Sequence, residues 1–405
     1  MIQKLKKLPE GWEEIELSNK DYFEILSSGI NKFEGEKDYL STESVQGTEI
    51  EKVECKISYK DKPSRANMQP VLNSIWFAKM KDTLKVYCFD ENNKEEIKKY
   101  ILSTGFAGIK VDEKKVYPKY LKLFFTSKFF NEEKDKLCTG STQKGINNNF
   151  IVKIKIPLPS LQIQEQIVSI LEQAEFLKQK RKESDRLTRE YLQGIFYEMF
   201  GDPKRNNKMW QTVTINDCIN LSQYGTSTKS NNEDKGYIVF GMNCISEYGE
   251  MNLSKHNFVE ISKEEFSKLR LDKGDIIFNR TNSPELVGKT TVWNYDLDAI
   301  LASYLVKLKL KDNCNPFFFS FLLNTPYFKE MFFLSSKKAV NQANISPTLL
   351  KKFRIYLPPI ELQKKFASIV EHVEKLKEKQ NQSKEEIDKM FNSLMQKAFN
   401  GELAE

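Results

Sequence analysis

The sequence is poor in the residues that build most metal and acid–base sites. It contains two histidines, His256 and His372, among 405 residues, which argues against histidine-based acid–base chemistry and most histidine-ligated metal sites. Its six cysteines are scattered, and no two of them form a Cys-x-x-Cys pair. A zinc ribbon and a thioredoxin-type motif are therefore excluded, and the cysteines are expected to be buried thiols in a reducing compartment.

Long apolar runs are also missing. The longest one, Phe317–Leu323, is interrupted by Ser320 and is far shorter than the ~20 residues that a membrane span requires. The opening segment MIQKLKKLPEGWEE has no apolar signal core, so we expect a cytoplasmic protein. Charged residues make up 29% of the chain, and the formal net charge of +7 weakly favours a polyanionic partner.

What the sequence does contain is an internal repeat. The segments KIKIPLPSLQIQEQIVSILEQ and KFRIYLPPIELQKKFASIVEH align with a shift of 199 residues, and SIWFAKM upstream resembles DIIFNRT with a drift of two further residues. The alignment matches Gln143 with Gln342, Pro159 with Pro358, Gln164 with Gln363 and Lys79 with Arg280. The chain is therefore interpreted as two related units of about 200 residues each.

Each unit combines a strand-rich stretch with a long helix. Short β-like runs such as Lys85–Phe89 and Ile276–Asn279, together with one aromatic-rich helical stretch in each half, are typical of compact α+β domains. The aromatic clusters have helical spacing, so we interpret them as core. We predict an α+β architecture of two pseudo-repeated globular domains joined by two long helices, with boundaries at 1–159 (domain one), 160–201 (central helix), 202–357 (domain two) and 358–405 (C-terminal helix).

Both helical segments show apolar residues at alternating steps of three and four, the a/d pattern of a coiled coil. Two helices of roughly 60 Å with matching seams are expected to pack antiparallel on each other. Separate docking of each helix on its own domain, a larger bundle or a partner docking mid-helix would also explain the seams, which turn polar at Arg181, Ser184, Gln380 and Ser383. The predicted seam residues are Ile167, Ile170, Leu177, Tyr191, Ile195, Phe366, Ile369, Val373, Leu376, Ile387, Met390 and Leu394.

The chain resembles the specificity subunit of type I restriction-modification enzymes. The resemblance rests on the order domain–helix–domain–helix and covers nearly the whole chain. The matching segments are SRANMQPVLNSIWFAKMKDTLKV (64–86), GSTQKGINN (140–148), IPLPSLQIQEQIVSIL (156–171), LDKGDIIFNRTNSPELVGKT (271–290), YLPPIELQKKFASIV (356–370) and AFNGEL (398–403).

The resemblance implies a role as well as a fold. Each globular segment would be a target recognition domain that reads one half of a split, asymmetric double-stranded DNA target, and the helices would form the spacer between the half-sites. Two adenine methyltransferase subunits would dock on the chain, and ATP-dependent restriction subunits would join them. The chain itself would hold no catalytic site, metal or cofactor, since S-adenosylmethionine, ATP and Mg would be bound by the partner subunits.

Polar residues within turn-rich stretches are the candidate DNA contacts. Arginine suits guanine, asparagine suits adenine and lysine suits phosphate. Gln143 and Gln342 have an alternative role as supports of the junction between domain and helix. The candidates are Arg65, Asn67, Lys79, Lys81, Gln143, Lys144, Arg280, Asn282, Lys289 and Gln342.

The sequence leaves three other functions open. Asn315-Pro316-Phe317-Phe318 and Asn324-Thr325-Pro326-Tyr327 resemble the motif with which amino-methyltransferases grip a flipped base, but no glycine-rich cofactor loop precedes them. Triplets such as Glu54-Cys55-Lys56 have the shape of a nuclease motif, and a chain this charged produces them by chance. A coiled-coil scaffold without DNA affinity is the third alternative.

Overall fold

The computed structural model describes residues 8–140, 144–339 and 342–403. The chain forms two compact units. One consists of the residues up to 181 together with those from 382 onward, and the other consists of residues 182–381. Each unit therefore contains one globular domain and parts of both long helices, a division that differs from the linear one predicted above.

The first unit is built from short strands and helices that precede a long helix. Its strands are β1 (Glu13–Glu16), β2 (Phe23–Ile25), β3 (Lys37–Leu40), β4 (Val45–Gln46), β5 (Glu49–Ile50), β6 (Cys55–Ile57), β7 (Ala66–Met68), β8 (Ser74–Ala78), β9 (Val86–Phe89), β10 (Tyr100–Ser103), β11 (Phe106–Val111) and β12 (Lys155–Leu158). Its short helices are α1 (Glu96–Lys99), α2 (Pro118–Thr126), α3 (Lys128–Lys136) and α4 (Asn148–Ile151), and the long helix α5 (Leu161–Phe200) begins in it.

Two four-stranded sheets make up most of this domain. One has the antiparallel order β2-β11-β8-β9, and the other has the order β6-β3-β10-β7 with a parallel β3–β10 pair. The aromatic stretch of α2 and α3 covers the first sheet: the Phe77 ring lies 4.9 Å from that of Phe125 and 5.1 Å from that of Phe130. The aromatic residues thus form the core, as predicted.

The second unit repeats this plan. Its strands are β13 (Thr212–Thr214), β14 (Ile219–Tyr224), β15 (Tyr237–Phe240), β16 (His256–Val259), β17 (Ile276–Asn279), β18 (Thr281–Asn282), β19 (Thr290–Val292), β20 (Ala299–Leu301), β21 (Leu305–Leu310), β22 (Lys337–Ala339), β23 (Gln342–Asn344) and β24 (Arg354–Tyr356). Its helices are α6 (Ile215–Cys218), α7 (Lys263–Leu269), α8 (Pro316–Leu323), α9 (Pro326–Ser335) and α10 (Pro347–Leu350), and the second long helix, α11 (Ile360–Phe399), begins in it.

The main sheets of the two units share their strand order, although within the described residues β7 and the sheet β18-β23-β22 each occur in one unit only. The order β14-β21-β17-β19 matches β2-β11-β8-β9, and β16-β15-β20 matches β6-β3-β10, including its parallel pair. The pair β13–β24 matches β1–β12, where a strand just before the long helix pairs with one near the start of the unit. The predicted α+β class and the pseudo-repeat of two domains are confirmed.

The long helices pack on each other within each unit. In the first unit, the Lys178 Nζ lies 2.9 Å from a carboxylate oxygen of Asp388 and 4.6 Å from the centre of the Phe391 ring. In the second, the rings of Phe196 and Phe200 each lie 5.4 Å from that of Phe366. Late residues of α5 thus contact early residues of α11 and the reverse, the order of an antiparallel pair. Neither these nor the other described helices combine the length and apolar character of a membrane span.

The predicted seam is wrong in register at four of its positions. The side chains of Leu177, Tyr191, Leu376 and Met390 are 46%, 61%, 56% and 42% exposed. The packed positions there lie one residue later, at Lys178, Leu192, Lys377 and Phe391. Apolar residues occur on two faces of each helix, so the heptad pattern alone does not distinguish these exposed positions from the packed ones. Ile167, Phe366 and Val373 are buried, and Ile170, Ile195, Ile369, Ile387 and Leu394 are half-buried.

Candidate nucleic-acid interface

Arg280 leaves the central sheet of the second domain at the end of β17. Its backbone N–H donates to the carbonyl of Tyr304 at 3.1 Å, and its own carbonyl accepts from the N–H of Ile345 at 2.8 Å. These two bonds pin the peptide of Arg280 between the β20–β21 turn and the end of β23. The position of the arginine is therefore set by the sheet and not by a free loop.

The side chain of Arg280 is also held in place. Its guanidinium carbon lies 4.9 Å from the centre of the Tyr224 ring, Nη2 donates to the Asn344 Oδ1 at 3.1 Å, and Nη1 lies 3.4 Å from the carbonyl of Ser303. Stacking and hydrogen bonding of this kind pre-organise the planar guanidinium. Arginine has five N–H donors. Two of them bond to described residues, and the Nε is buried without a partner among these residues, so the remaining Nη donors are the ones left for a base edge or a phosphate.

Two exposed tyrosines flank this arginine, and sequence reasoning did not identify them. Tyr224 is 48% exposed and Tyr304 is 45% exposed. Tyr224 ends β14, and Tyr304 lies in the turn whose carbonyl receives the N–H of Arg280. The exposed Tyr224 ring beside a fixed arginine gives the surface both hydrogen-bonding and apolar contact groups. The signal in the sequence was weak, because a tyrosine at a strand end usually packs on its own sheet.

Lys79 occupies the equivalent position in the first domain. Its N–H donates to the carbonyl of Gly105 at 2.9 Å and its carbonyl accepts from Ile146 at 2.9 Å, which repeats the pair of bonds at Arg280. Partial burial lowers the pKa of the Lys79 ammonium. Two residues on, the N–H of Lys81 donates to the carbonyl of Lys144 at 2.9 Å, and both of these lysines are exposed. The structure thus brings Lys79, Lys81 and Lys144 together.

Arg65 and Asn67 lie on the other side of the β10–β11 turn from Lys79. The N–H of Thr104 donates to the carbonyl of Arg65 at 2.9 Å, and Thr104 precedes the Gly105 that receives Lys79. Arg65 is exposed, whereas Asn67 is half-buried and its side-chain oxygen lies 3.4 Å from the Lys62 Nζ. The β10–β11 turn therefore gathers the two sets of candidates on the first domain. Gln143 lies outside the described residues.

Lys289 is not a surface lysine, so its assignment as a DNA contact is wrong. It is 7% exposed, and its Nζ donates to the carbonyls of Ile245 at 2.6 Å and Met242 at 3.3 Å. Burial lowers its pKa. The ammonium satisfies backbone carbonyls that burial would otherwise leave without donors. Asn282 and Gln342 do lie near Arg280: Asn282 is half-buried on β18, and Gln342 is exposed at the start of β23, which pairs with β18.

A buried glutamine ties each domain to its long helix. The Gln164 Oε1 accepts from the N–H of Tyr117 at 2.9 Å, and its Nε2 donates to the carbonyls of Lys115 at 3.0 Å and Pro159 at 2.9 Å. We call this arrangement the glutamine clamp. It satisfies three backbone groups where the first helix of the aromatic pair begins beside α5.

The second unit has an equivalent clamp. The Gln363 Oε1 accepts from the N–H of Asn315 at 2.8 Å, and its Nε2 donates to the carbonyls of Pro358 at 2.7 Å and Asn313 at 3.2 Å. Both glutamines are fully buried. The sequence repeat aligns these two glutamines, whereas the sequence pattern led us to consider the junction-supporting role at Gln143 and Gln342.

The asparagines of the methyltransferase-like motifs have structural roles. The Asn315 Oδ1 accepts from the N–H of Phe317 at 2.9 Å and so caps α8. The Asn324 Nδ2 donates to the carbonyl of Thr290 at 2.6 Å, and its Oδ1 accepts from the N–H of the same residue. Among the described residues, no group of three His, Cys, Asp or Glu side chains could hold a metal ion.

The exposed apolar residues of the two long helices also follow the repeat. A shift of 199 residues relates Leu177 to Leu376 and Tyr191 to Met390, and all four are exposed. We call them the outer stripes of α5 and α11. A protein with two equivalent apolar stripes can present the same docking surface twice.

Comparison with known proteins identifies a family for both halves. The family model described as the type I restriction modification DNA specificity domain matches residues 9–185 and again residues 207–389. The chain is similar to the MjaX specificity subunit of a type I restriction enzyme from Methanocaldococcus jannaschii, with 31% identity over 193 residues, 47% of this chain and 45% of that relative. It is also similar to the EcoKI specificity subunit of Escherichia coli, with 22% identity over 321 residues, 74% of this chain and 68% of that relative.

Two solved structures share the fold. One is a chain from a study of the assembly and conformational transition of a type I restriction-modification system, with a TM-score of 0.57, 21% identity, and coverage of 98% of this chain and 100% of that one. The other is the S subunit of a type I system from M. genitalium, with a TM-score of 0.51, 14% identity, and coverage of 97% and 98%. The likeness to both extends over nearly the full length of the chain.

Proposed function

The chain belongs to the family of type I restriction-modification DNA specificity domains, and from this premise we propose that it is the sequence-reading subunit of such a system. Each globular domain reads one half of a split DNA target. The net charge of +7 suits this role, because phosphate neutralisation supplies most of the sequence-independent part of DNA affinity.

One observation carries the proposal. The backbone positions of Lys79 and Arg280 are fixed by the same pair of hydrogen bonds in the two domains, yet the surrounding side chains differ. The first domain presents a lysine cluster, and the second presents an arginine stacked on the ring of Tyr224. Two equivalent reading positions with different chemistry predict two different half-sites, and hence an asymmetric bipartite target.

The long helices serve as spacer and docking surface in this proposal. Half-sites about one duplex turn apart need readers separated by roughly 34 Å or more, a distance that a helix of 40 residues can span. The outer stripes, being exposed and matched by the repeat, are the surfaces on which two adenine methyltransferase subunits dock. ATP-dependent restriction subunits then complete the complex.

The catalytic steps belong to the partners. Asn315 and Asn324 are engaged in capping and in bonds to Thr290, which supports a chain without a methyltransferase centre of its own. S-adenosylmethionine, ATP and Mg are accordingly assigned to the methyltransferase and restriction subunits. The chain contributes the choice of sequence and the distance between the two methylated positions.

The proposal is tested by expressing the chain with the methyltransferase subunit of its own operon in a host without methylation. Methylated adenines are then mapped over the genome. We expect one bipartite motif with two different halves and a fixed gap, and no methylation when either subunit is omitted. Methylation at an undivided motif, or modification by the isolated chain, would contradict the proposal.

A further inference from the structure

A concavity of about 470 Å³ opens on the surface of the first domain, next to β7. Its charged lining consists of Lys32, Lys37, Lys94 and Lys98, and none of the described residues that line it carries a carboxylate. The four charges of the lining are therefore all positive, and two of them, on Lys94 and Lys98, are paired with Glu91 and Glu95 outside the lining.

One side of this basic concavity, at Phe33, is packed against the core of the domain. The ring of Phe33 meets that of Tyr59 edge-on at 5.7 Å and packs against the core around Tyr39 and Ile57. The Lys37 Nζ lies 5.2 Å from the centre of the Phe33 ring. Partial burial lowers the pKa of the Lys37 ammonium. An anion bound beside it would favour the charged form and so offset this effect of burial.

Two of the lining lysines form surface ion pairs that a bound anion could replace. Lys94 lies 3.1 Å from Glu91 and Lys98 lies 3.8 Å from Glu95, both through ammonium–carboxylate contacts. All four side chains are more than half exposed. Such surface pairs contribute little to stability, so contacts to a phosphate can replace them.

The basic concavity is continuous with the predicted reading residues. Gln69 and Pro70 form part of its lining and directly follow β7, which carries Asn67. The carbonyl of Asn67 accepts from the N–H of Gly29 at 2.8 Å, and this bond holds the segment that leads to Lys32 against β7. The concavity thus adjoins the strand that carries Asn67, and the backbone of a DNA strand read there could continue toward it.

We propose that the basic concavity binds the phosphodiester backbone of the half-site read by the first domain. This rests on the proposed function and adds to it a site for the sequence-independent grip. A concavity of about 470 Å³ is too small to enclose a DNA duplex, but it suits a short segment of the backbone. Lysine acts on phosphate as a mobile point charge, so these contacts position the DNA without selecting bases.

A concavity of about 360 Å³ in the second unit has a different lining. It contains Asp202, Glu330 and Lys204 along with two tyrosines, and this mixture of charges repels phosphate as much as it attracts it. We therefore do not assign it the same role. We expect the half-site of the first domain to provide more of the salt-dependent affinity.

The experiment uses the complex of the full chain with its methyltransferase subunit and a duplex carrying the target. The Lys32→Ala/Lys37→Ala double variant should weaken binding at least tenfold near 0.1 M salt. The slope of log K against log salt concentration should fall by about 1.8, or 0.9 for each lysine that contacts a phosphate. The methylated motif should stay the same. The Lys99→Ala/Lys110→Ala double variant is the matched control, since both lysines are surface-exposed, ion-paired and outside the concavity.

The outcomes separate this inference from the proposed function. A wild-type complex that binds no DNA would overturn the proposed function. A wild-type complex that binds, with a double variant of unchanged salt slope, would overturn the basic concavity alone. A methylated motif that changes in the double variant would overturn the assignment to phosphate. So would a wild-type complex that binds inorganic phosphate tightly while the double variant keeps its DNA affinity. If Lys37→Ala lowers the melting temperature, the Lys32→Ala/Lys98→Ala variant provides the same readout.

Discussion

The two units share several backbone hydrogen bonds but differ in the side chains where the chain leaves the central sheet. Both have a glutamine clamp at the long helix, and both hold the residue after the central strand with the same two backbone bonds. Around that residue, however, one unit has exposed lysines and the other has Arg280 with Tyr224 and Tyr304. The shared frame thus carries two different surfaces.

The comparison also separates structural from reading residues. Lys289 in the second unit donates to the carbonyl of Met242, and Lys85 in the first donates to the carbonyl of Thr42 at 2.7 Å. The carbonyls of both lysines accept from the residues that end the central strands. These lysines therefore belong to the common frame. A polar residue with the same contacts in both units is best interpreted as structural, and a residue without an equivalent is the better candidate for sequence reading.

The largest expected effect tests the common frame at the clamps. Gln164→Ala and Gln363→Ala each remove the partner of one part-buried N–H, one part-buried carbonyl and one buried carbonyl. Since an orphaned buried polar group costs about 1–3 kcal/mol, each variant should lose about 3 kcal/mol or more of unfolding free energy. Chemical denaturation measures this loss, and Gln179→Ala on the exposed face of α5 is the control. A large loss for one clamp and none for the other would break the equivalence of the two units.

The second prediction concerns the frame lysines. Lys289→Met keeps the length of the side chain and removes the donor to two carbonyls, so it should reduce the unfolding free energy by about 2 kcal/mol. Lys81→Met, at an exposed position, should change it by less than about 0.5 kcal/mol. If Lys289→Met left stability unchanged and flattened the salt dependence of DNA binding, the lysine would be a phosphate contact after all.

The third prediction tests the division of the target. Arg280→Ala should weaken binding to the native target by about 1–3 kcal/mol, the range for a bidentate base contact, and should relax one half-site only. Lys79→Ala should leave that half-site intact. Methylation mapping of both variants distinguishes the cases, with Arg354→Ala on β24 as the arginine control. Equal weakening on all sequences would assign Arg280 to phosphate.

The smallest effect on stability is expected at the outer stripes. Leu177→Ala and Leu376→Ala remove exposed side chains and should change the unfolding free energy by less than about 0.5 kcal/mol. Each should nevertheless weaken the binding of a methyltransferase subunit, which co-purification at graded salt would reveal. Leu171→Ala is the contrast, because Leu171 is fully buried and its truncation should cost about 2–5 kcal/mol. Undisturbed partner binding in both stripe variants would remove the stripes as docking surfaces.

Much of the fold could be predicted because the sequence states it twice. The repeat pairs Gln164 with Gln363, although their role as clamps was not predicted, and the β-like run Ile276–Asn279 is the strand β17. The seam register could not be fixed, because apolar residues occur on two faces of each helix. Leu177 and Leu376 satisfy the heptad pattern as well as their buried neighbours do, and only packing decides which face is covered.

The candidate site was harder to predict than the fold. Lys289 looked exposed because it lies in a polar, turn-rich stretch, yet its ammonium is buried against carbonyls that are distant in sequence. Tyr224 was missed because its neighbour Arg280 is 56 residues away along the chain. Reading surfaces are assembled from separate turns, so single-sequence patterns do not reveal them. Arg280 itself was identifiable, since it follows a strand and has a counterpart in the other half.

The central claim is that two different readers are held at a distance set by the long helices. The most direct test inserts one heptad into each helix, after residues 181 and 381, and maps the methylated motif. Seven residues add about 10.5 Å of helix, or about three base pairs of duplex. The account predicts unchanged half-sites separated by a longer gap. Altered half-sites with an unchanged gap would contradict it.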